Sequence, residues 1–374
     1  SYGNVTVAAI TNVSGVANIV YTADTNTGIV AITASVGSVK NITQITKVTP
    51  SVLESLIITN GDATSPTQYR TTSQKDLSLG IFKLTANGGE DMIVTRIVIT
   101  DMMFGNTGGA AGSFTNLKLV KANGTQVGQI TYNMDLKSAS EAIATFNPIS
   151  NLIVAKNQTE TLTLKGDLNS YPNAVLGSYH LFKINSVNDI TVIGDTLNLP
   201  ITVTGAPISG SLQGVYKSVL SVYAQSAGNT ILSINNSIAS FSFTNNSKGN
   251  YPITISGIQL GLDIWFTGIQ ASSKYITLRK GWDGPIIAKK KFNISKGTNS
   301  LVITDWQANA GDPNEMTFTP FDINANDSMS IYVFTDTTDM VSGSPIITSI
   351  KDVTLSADGF MTSPLPVNGG GISF

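Results

Sequence analysis

The sequence has no cysteine, a single histidine and no apolar run long enough to cross a bilayer as a helix. Each absence removes a class of protein. Without Cys there are no disulfides, no thiolate metal sites and no Cys nucleophile. One His cannot supply the imidazole set of a common zinc centre. A spanning helix needs about 20 consecutive apolar residues. Charge is also scarce: Asp, Glu, Lys and Arg make up 12% of the 374 residues, with a net charge of −2. That is about half the usual share, and it offers no electrostatic footprint for nucleic acid. Helical periodicity is missing too. No segment keeps a 3.6-residue apolar repeat for three turns, and only Leu136–Ala144 is read as a short helix.

Ser, Thr, Asn and Gly take the place of the missing charge. Such a surface opposes close packing of copies only weakly. The strand pattern is pervasive. Segments such as Ile29–Ala34, Ile93–Ile99, Leu117–Val120, Leu162–Leu164 and Ser330–Phe334 alternate apolar with Ser, Thr or Lys. Turn residues bound them, including Asn60-Gly61, Asn123-Gly124 and Asp283-Gly284. The expected fold class is all-β, as packed antiparallel sandwiches.

An internal repeat sets the domain plan. Ile81-Phe82-Lys83-Leu84-Thr85 matches Ser240-Phe241-Ser242-Phe243-Thr244, and Ile97-Val98-Ile99 matches Ile258-Gln259-Leu260. Leu117-Lys118-Leu119-Val120-Lys121 matches Ile276-Thr277-Leu278-Arg279-Lys280, each leading to an Asn-Gly or Asp-Gly turn. Thr145-Phe146-Asn147-Pro148 matches Thr317-Phe318-Thr319-Pro320, and Asp189–Val192 matches Asp352–Leu355. The order is conserved at a pitch of roughly 160–170 residues. The expected plan is a partial β segment at 1–49, one sandwich copy at 52–206, a second at 211–363, and a Gly-rich tail at 364–374.

At the amino-terminal end, Thr11-Asn12-Val13-Ser14-Gly15-Val16-Ala17, followed by Tyr21-Thr22-Ala23 and Val30–Val36, resembles the second half of a bacterial Ig-like domain of the invasin/intimin type. The resemblance implies a rigid spacer in a surface protein. It covers about 35 residues and lacks the family's earlier strands. The two longer copies look similar to repeated β-sandwich modules of prokaryotic surface-layer and surface-filament proteins. A half sandwich alone leaves an apolar face and strand edges open. Three completions stand open: further sequence upstream, packing on the adjoining domain, or strands donated by another subunit. The chain opens without Met, and a signal peptide removed from the mature protein is expected. Donor candidates are Val5, Val7 and Ile10 of the first strand, and Ile372 and Phe374, read as an apolar hook on a slack tail.

Chemistry-bearing residues are few. His180 lies in an alternating strand and is expected at its surface or boundary, although a Ser-His-Asp triad could use it. Glu is sparse and only Trp265, Trp282 and Trp306 could form aromatic platforms, which disfavours a glycosidase cleft. No enzymatic activity and no cofactor are expected. Asp322, Asn324, Asn326 and Asp327 resemble part of a calcium loop but lack its Gly and terminal Glu, so a turn is the plainer reading. Lys289, Lys290 and Lys291 form a basic cluster. They either guard an edge strand or contact an acidic surface, such as Asp305–Asp339 of a neighbouring copy or an acidic wall polymer. Glycosylation sequons stand at Asn4, Asn12, Asn41, Asn123, Asn157, Asn235, Asn245, Asn293 and Asn326, no more often than this composition gives by chance. Lys–Asn isopeptide bonds are open as well.

Together these features point to an extracellular structural protein of a prokaryotic cell surface, with copies of itself as partner in a filament or layer, joined by strand donation. The alternatives are a spacer of a larger adhesin and a glycan-binding surface module.

Overall fold

The computed structural model describes residues 3–5, 12–16, 21–23, 28–36, 38–47, 54–61, 67–130, 134–196, 198–266, 272–341, 343–356 and 358–374. It is all-β, apart from two three-residue 3₁₀ turns at Ala110–Gly112 and Val187–Asp189. Two pairs of sheets carry most of the chain. In the first pair, the front sheet runs Gln126–Gln129, Phe114–Lys121, Thr159–Leu168, Leu77–Asn87, Ser55–Asn60, Thr202–Thr204 from edge to edge. In the second pair, the front sheet runs Ile286–Ile294, Ser272–Lys280, Ser328–Thr335, Asn236–Asn245, Ser218–Ala227, Gly359–Met361. The two orders correspond strand for strand, down to a parallel final pairing in each.

The back sheets correspond as well. Met92–Gly105 lies between Glu141–Phe146 and Ser178–Ile184, as Ile253–Phe266 lies between Gly297–Ile303 and Pro345–Leu355. Each pair encloses its own apolar core. Leu56, Phe82, Phe114, Ile97, Phe146 and Phe182 belong to the first; Phe241, Phe243, Ile258, Leu260, Phe266 and Ile346 belong to the second. The period-2 pattern explains the placement, because alternate residues of a strand leave opposite faces. In Glu141–Phe146, Ala142, Ala144 and Phe146 are buried while the residues between them are only partly so. Each fully buried Phe contributes about 2–3 kcal/mol relative to exposure.

The structure corrects four expectations. The short helix at Leu136–Ala144 is a hairpin, Asp135–Ser138 with Glu141–Phe146; the alternation of Ala142, Ala144 and Phe146 overrides local helix propensity. The sheets are not wholly antiparallel, since Thr202–Thr204, Gln213–Tyr216 and Gly359–Met361 each pair in parallel. The break expected at 206–211 lies inside the first sheet pair. Ile208–Ser209 and Gln213–Tyr216 pair with Ser178–Ile184, and Ile208 and Val215 enter the first core. The tail at 364–374 is not slack: Val367–Ser373 pairs with Pro345–Leu355, and Ile372 is only 3% exposed. It is the counterpart of 208–216.

The glycines of that last strand serve contact rather than slack. A Cβ on Gly369 would stand 2.7 Å from Cζ of Phe241 and 2.9 Å from Oγ1 of Thr348. Gly210 occupies the matching place, where a Cβ would stand 2.6 Å from the Cα of Gly80. Gly369→Val is therefore expected to cost about 2 kcal/mol or more by overpacking, seen as a lower urea midpoint. Asn368→Ala, an exposed neighbour, should change little. Equal midpoints for both variants would restore the free tail.

Candidate functional site

His180 is not on a strand surface. It is fully buried, and Ser178 and Asp101 are buried with it. Asp101 lies on Met92–Gly105 and the other two on Ser178–Ile184, whose register sets Asp101 opposite Phe182, two residues from His180. His180 Nδ1 is 2.7 Å from Asp101 Oδ2, and Nε2 is 3.0 Å from Ser178 Oγ. The connectivity is that of a Ser-His-Asp triad, but the hydrogens run the other way. Ser178 Oγ donates its one hydrogen to the carbonyl of Val175 at 2.7 Å. Nε2 must then be the donor to Ser178, and His180 has no lone pair there with which to act as base. The three groups are also sealed: Phe114 meets the imidazole edge-on at 4.9 Å and Phe182 stacks at 6.2 Å. No substrate reaches Ser178.

The second sheet pair acts as an internal control. Asp101 pairs with Ala142 and Phe182, as Leu262 pairs with Leu301 and Thr348. His180 precedes Phe182 by two residues, as Ile346 precedes Thr348. Leu262 and Ile346 are 1% and 0% exposed. The fold therefore accepts two aliphatic side chains where the first pair buries an acid and an imidazole, with Asp101 Oδ1 left unpartnered.

Three of the calcium candidates have local roles in a strand and the turn that follows it. Asp322 lies on Phe321–Ile323 and accepts from Thr254 Oγ1 at 2.6 Å. Asn326 takes a left-handed conformation, φ 62°, as does Asn157, φ 58°, at the matching turn of the first pair. Both Asn residues suit a turn that few side chains tolerate. Asp327 donates its backbone N–H to the carbonyl of Asn324 in that turn. Among the described residues no group of three or more His, Asp or Glu side chains is placed to hold a metal. Of the sequons, Asn245 is inaccessible: it is fully buried and its amide donates to the carbonyls of Tyr251 and Ile323. Asn12, Asn41, Asn123, Asn157, Asn235, Asn293 and Asn326 are exposed. Asn4 and Val5 lie on the short strand Gly3–Val5, while Val7 and Ile10 fall outside the described residues.

The lysine cluster sits on Ile286–Ile294, an edge strand. Residues of the same chain cover that edge. Lys289 and Met316 exchange backbone hydrogen bonds. Lys290 Nζ lies 3.3 Å from Glu315, whose other oxygen accepts from the Lys291 N–H at 3.0 Å. Lys291 Nζ is 3.8 Å from Asp312. The backbone N–H groups of Asn309 and Lys291, and then Lys290, hold the Glu315 carboxyl below its usual range. Asp336 and Asp339 are engaged by Lys274. The acidic partner expected from a neighbouring copy is thus supplied in cis, and Lys289 alone of the three is left without a carboxylate among the described residues.

A junction that the sequence did not reveal joins the two sheet pairs. Gln213–Tyr216 ends one and Ser218–Ala227 starts the other, with only Lys217 between. Phe360 of the second pair stacks on Tyr69 of the first at 4.0 Å and packs against Tyr216 at 4.6 Å. Lys217 Nζ sits 4.4 Å above the Tyr171 ring, 5.1 Å above that of Tyr251 and 3.3 Å from Asp358. The Lys248 N–H donates across the junction to Thr71 Oγ1 at 3.2 Å. Burial and the Tyr179 hydroxyl push the Tyr216 phenol above its usual range, so it stays neutral. A crevice of about 440 Å³ opens beside this cluster, lined by Tyr171, Pro172, Tyr216 and Asp358 among others.

Asp101→Leu alone should cost about 3–5 kcal/mol, because it strands a buried polar ring. Asp101→Leu with His180→Ile should cost clearly less than that single change, since the pair then matches Leu262 and Ile346. Urea unfolding of the singles and the double reads the coupling; additive losses would contradict it.

No protein-family model matches the chain, and no curated protein sequence matches it. Among solved structures, it is similar to the C-terminal domain of the AgI/II polypeptide BspA of Streptococcus agalactiae, at 8% identity, 84% of this chain, 99% of that one and a TM-score of 0.19. It is also similar to Salmonella alpha-2-macroglobulin reacted with methylamine, at 12% identity, 92% of this chain, 22% of that one and a TM-score of 0.20. The secreted serine protease VesC of Vibrio cholerae aligns over 78% of this chain and 50% of its own, at 8% identity and a TM-score of 0.15. Similarity at these scores carries no functional argument.

Proposed function

We propose that this chain is a structural module of a prokaryotic cell surface, a rod of two β-sandwiches that holds whatever lies at its ends at a fixed separation and angle. The observation that carries this reading is the one-residue connection at Lys217 and the ring cluster that closes over it. Linkers of several Gly or Ser residues let domains swing; a single residue whose flanking strands are both paired does not. The weakly charged, hydroxyl-rich composition suits close packing in an array. Phe360→Ala should remove about 2 kcal/mol of coupling between the sandwiches. Calorimetry is then expected to resolve two transitions where the native chain unfolds in one. An unaltered single transition would count against a rigid junction.

Assembly of copies is the second reading, favoured by the amino-terminal segment. Among the described residues, Gly28–Val36 pairs only with Val39–Lys47, and Gly3–Val5 only with Tyr21–Ala23. Val39 and Ile42 are 72% and 61% exposed. Two-stranded ribbons are marginal alone, and strands from another copy would complete them. Ile372 and Phe374 are committed to the second core, so the donor in this reading is the segment of Val5, Val7 and Ile10. Removing residues 1–48 should abolish concentration-dependent association in sedimentation while leaving the unfolding of the sandwiches unchanged. Association that survives the deletion removes the assembly reading.

A further inference from the structure

The outer face of the second front sheet carries two cations, Arg279 and Lys289, that have no carboxylate partner among the described residues. Arg279 and Lys289 line one cleft of about 270 Å³, together with Asn235, Tyr275, Thr277 and Phe334. The Arg279 guanidinium lies 5.1 Å over the Phe334 ring, and Lys289 Nζ lies 4.8 Å over the Tyr275 ring. Aromatic faces hold both groups in place without cancelling their charge. Arg279 Nε is buried and has no hydrogen-bond partner, which is costly for a group that forms charge-assisted bonds so readily. Lys274 and Asp336 also line the cleft, but they face each other at 3.7 Å. Beside the cleft, Trp282 packs edge-on against Tyr332 at 5.4 Å and against Phe334 at 5.5 Å, and is 52% exposed.

The matching face of the first sheet pair shows what a purely structural solution looks like. Lys118 stands where Thr277 does, and Lys118 and Lys165 both reach Asp76, at 2.6 and 2.8 Å. Those two hydrogen bonds hold the Asp76 carboxyl below its usual range. Lys121 is likewise closed by Glu160 at 2.7 Å. The second pair has cations, an unsatisfied guanidinium nitrogen and an open indole, and no acid answering Arg279 or Lys289 among the described residues.

We propose that this cleft binds an acidic polysaccharide. A sugar carboxylate would accept from Arg279 and pair with Lys289, and the adjoining ring would lie against Trp282. A planar, forked donor suits a carboxylate, and an exposed indole beside it suits a sugar face better than an acidic peptide. The cell-surface reading enters only in the choice of polymer, and the two can fail separately: a rigid rod needs no ligand, and a binding cleft needs no rigid junction.

The test is titration of the full chain with oligogalacturonate, followed by isothermal titration calorimetry, alongside a neutral glucan oligomer and poly-glutamate. Binding of oligogalacturonate that weakens with rising salt is expected. Arg279→Gln and Lys289→Gln should each weaken it at least tenfold, and Trp282→Ala severalfold, with unchanged circular dichroism. Lys118→Gln, on the face that Asp76 closes, should leave it unchanged. Absence of binding, equal binding of the neutral glucan, or affinity untouched by Arg279→Gln and Lys289→Gln would overturn the site. Stronger binding of poly-glutamate than of oligogalacturonate would replace the glycan with an acidic protein surface and overturn the proposal as stated.

Discussion

Lys217 is the single residue between two sheets that are each already paired, and that constraint governs the rest of the molecule. Its N–H donates to the carbonyl of Asp358 at 3.2 Å, and its carbonyl accepts from Ser247 Oγ at 3.1 Å. Its ammonium is shared between two tyrosine rings and a carboxylate. On the proposed reading, this fixing of backbone and side chain keeps the strands on either side from rotating independently. Phe360, stacked on Tyr69 and tilted against Tyr216, adds apolar area and ring packing to the same place.

The matching strand orders of the two sheet pairs make the molecule its own control. Where matching positions hold different residues, the shared strand order shows which choices the fold requires. Gly210 and Gly369 are required in both, because a final strand crosses close over another in each. Asp101 and His180 are not, because Leu262 and Ile346 fill the same places. Lys118 and Lys165 are closed by Asp76, whereas no carboxylate among the described residues answers Arg279 or Lys289 on the second face. The differences between copies, rather than their common pattern, single out the positions that the fold itself leaves free.

The all-β fold was legible because it rests on period-2 alternation, which survives in single strands such as Thr159–Leu168 and Ser178–Ile184. The repeat was legible in apolar pairs such as Phe82 and Phe241, which occupy matching core positions. The ends of the units were not. Pro207 and the glycines near 205–210 and 369–371 have linker composition, yet their smallness answers close strand crossings that only tertiary structure creates. His180 was misplaced for a related reason. Alternation says that a residue faces one side, and polarity suggests the solvent side, but Asp101, 79 residues earlier, supplies a partner inside. The lysine run lies on an edge strand, as one of its two readings required, while the loop that covers it, from Asp305 to Met316, showed no periodicity to announce its path. No local signal marked the junction, since Tyr69, Tyr216 and Phe360 are distant in sequence.

The central claim is a fixed angle between the two sandwiches, and the absence of Cys allows a clean measurement of it. Asn123 and Asn326 lie on exposed turns, one in each sandwich. With Asn123→Cys and Asn326→Cys in one chain, paired spin labels report the distance between the units by pulsed electron resonance. A single narrow distance distribution that broadens on Phe360→Ala is the predicted result. A broad distribution in the otherwise native chain would contradict the rod.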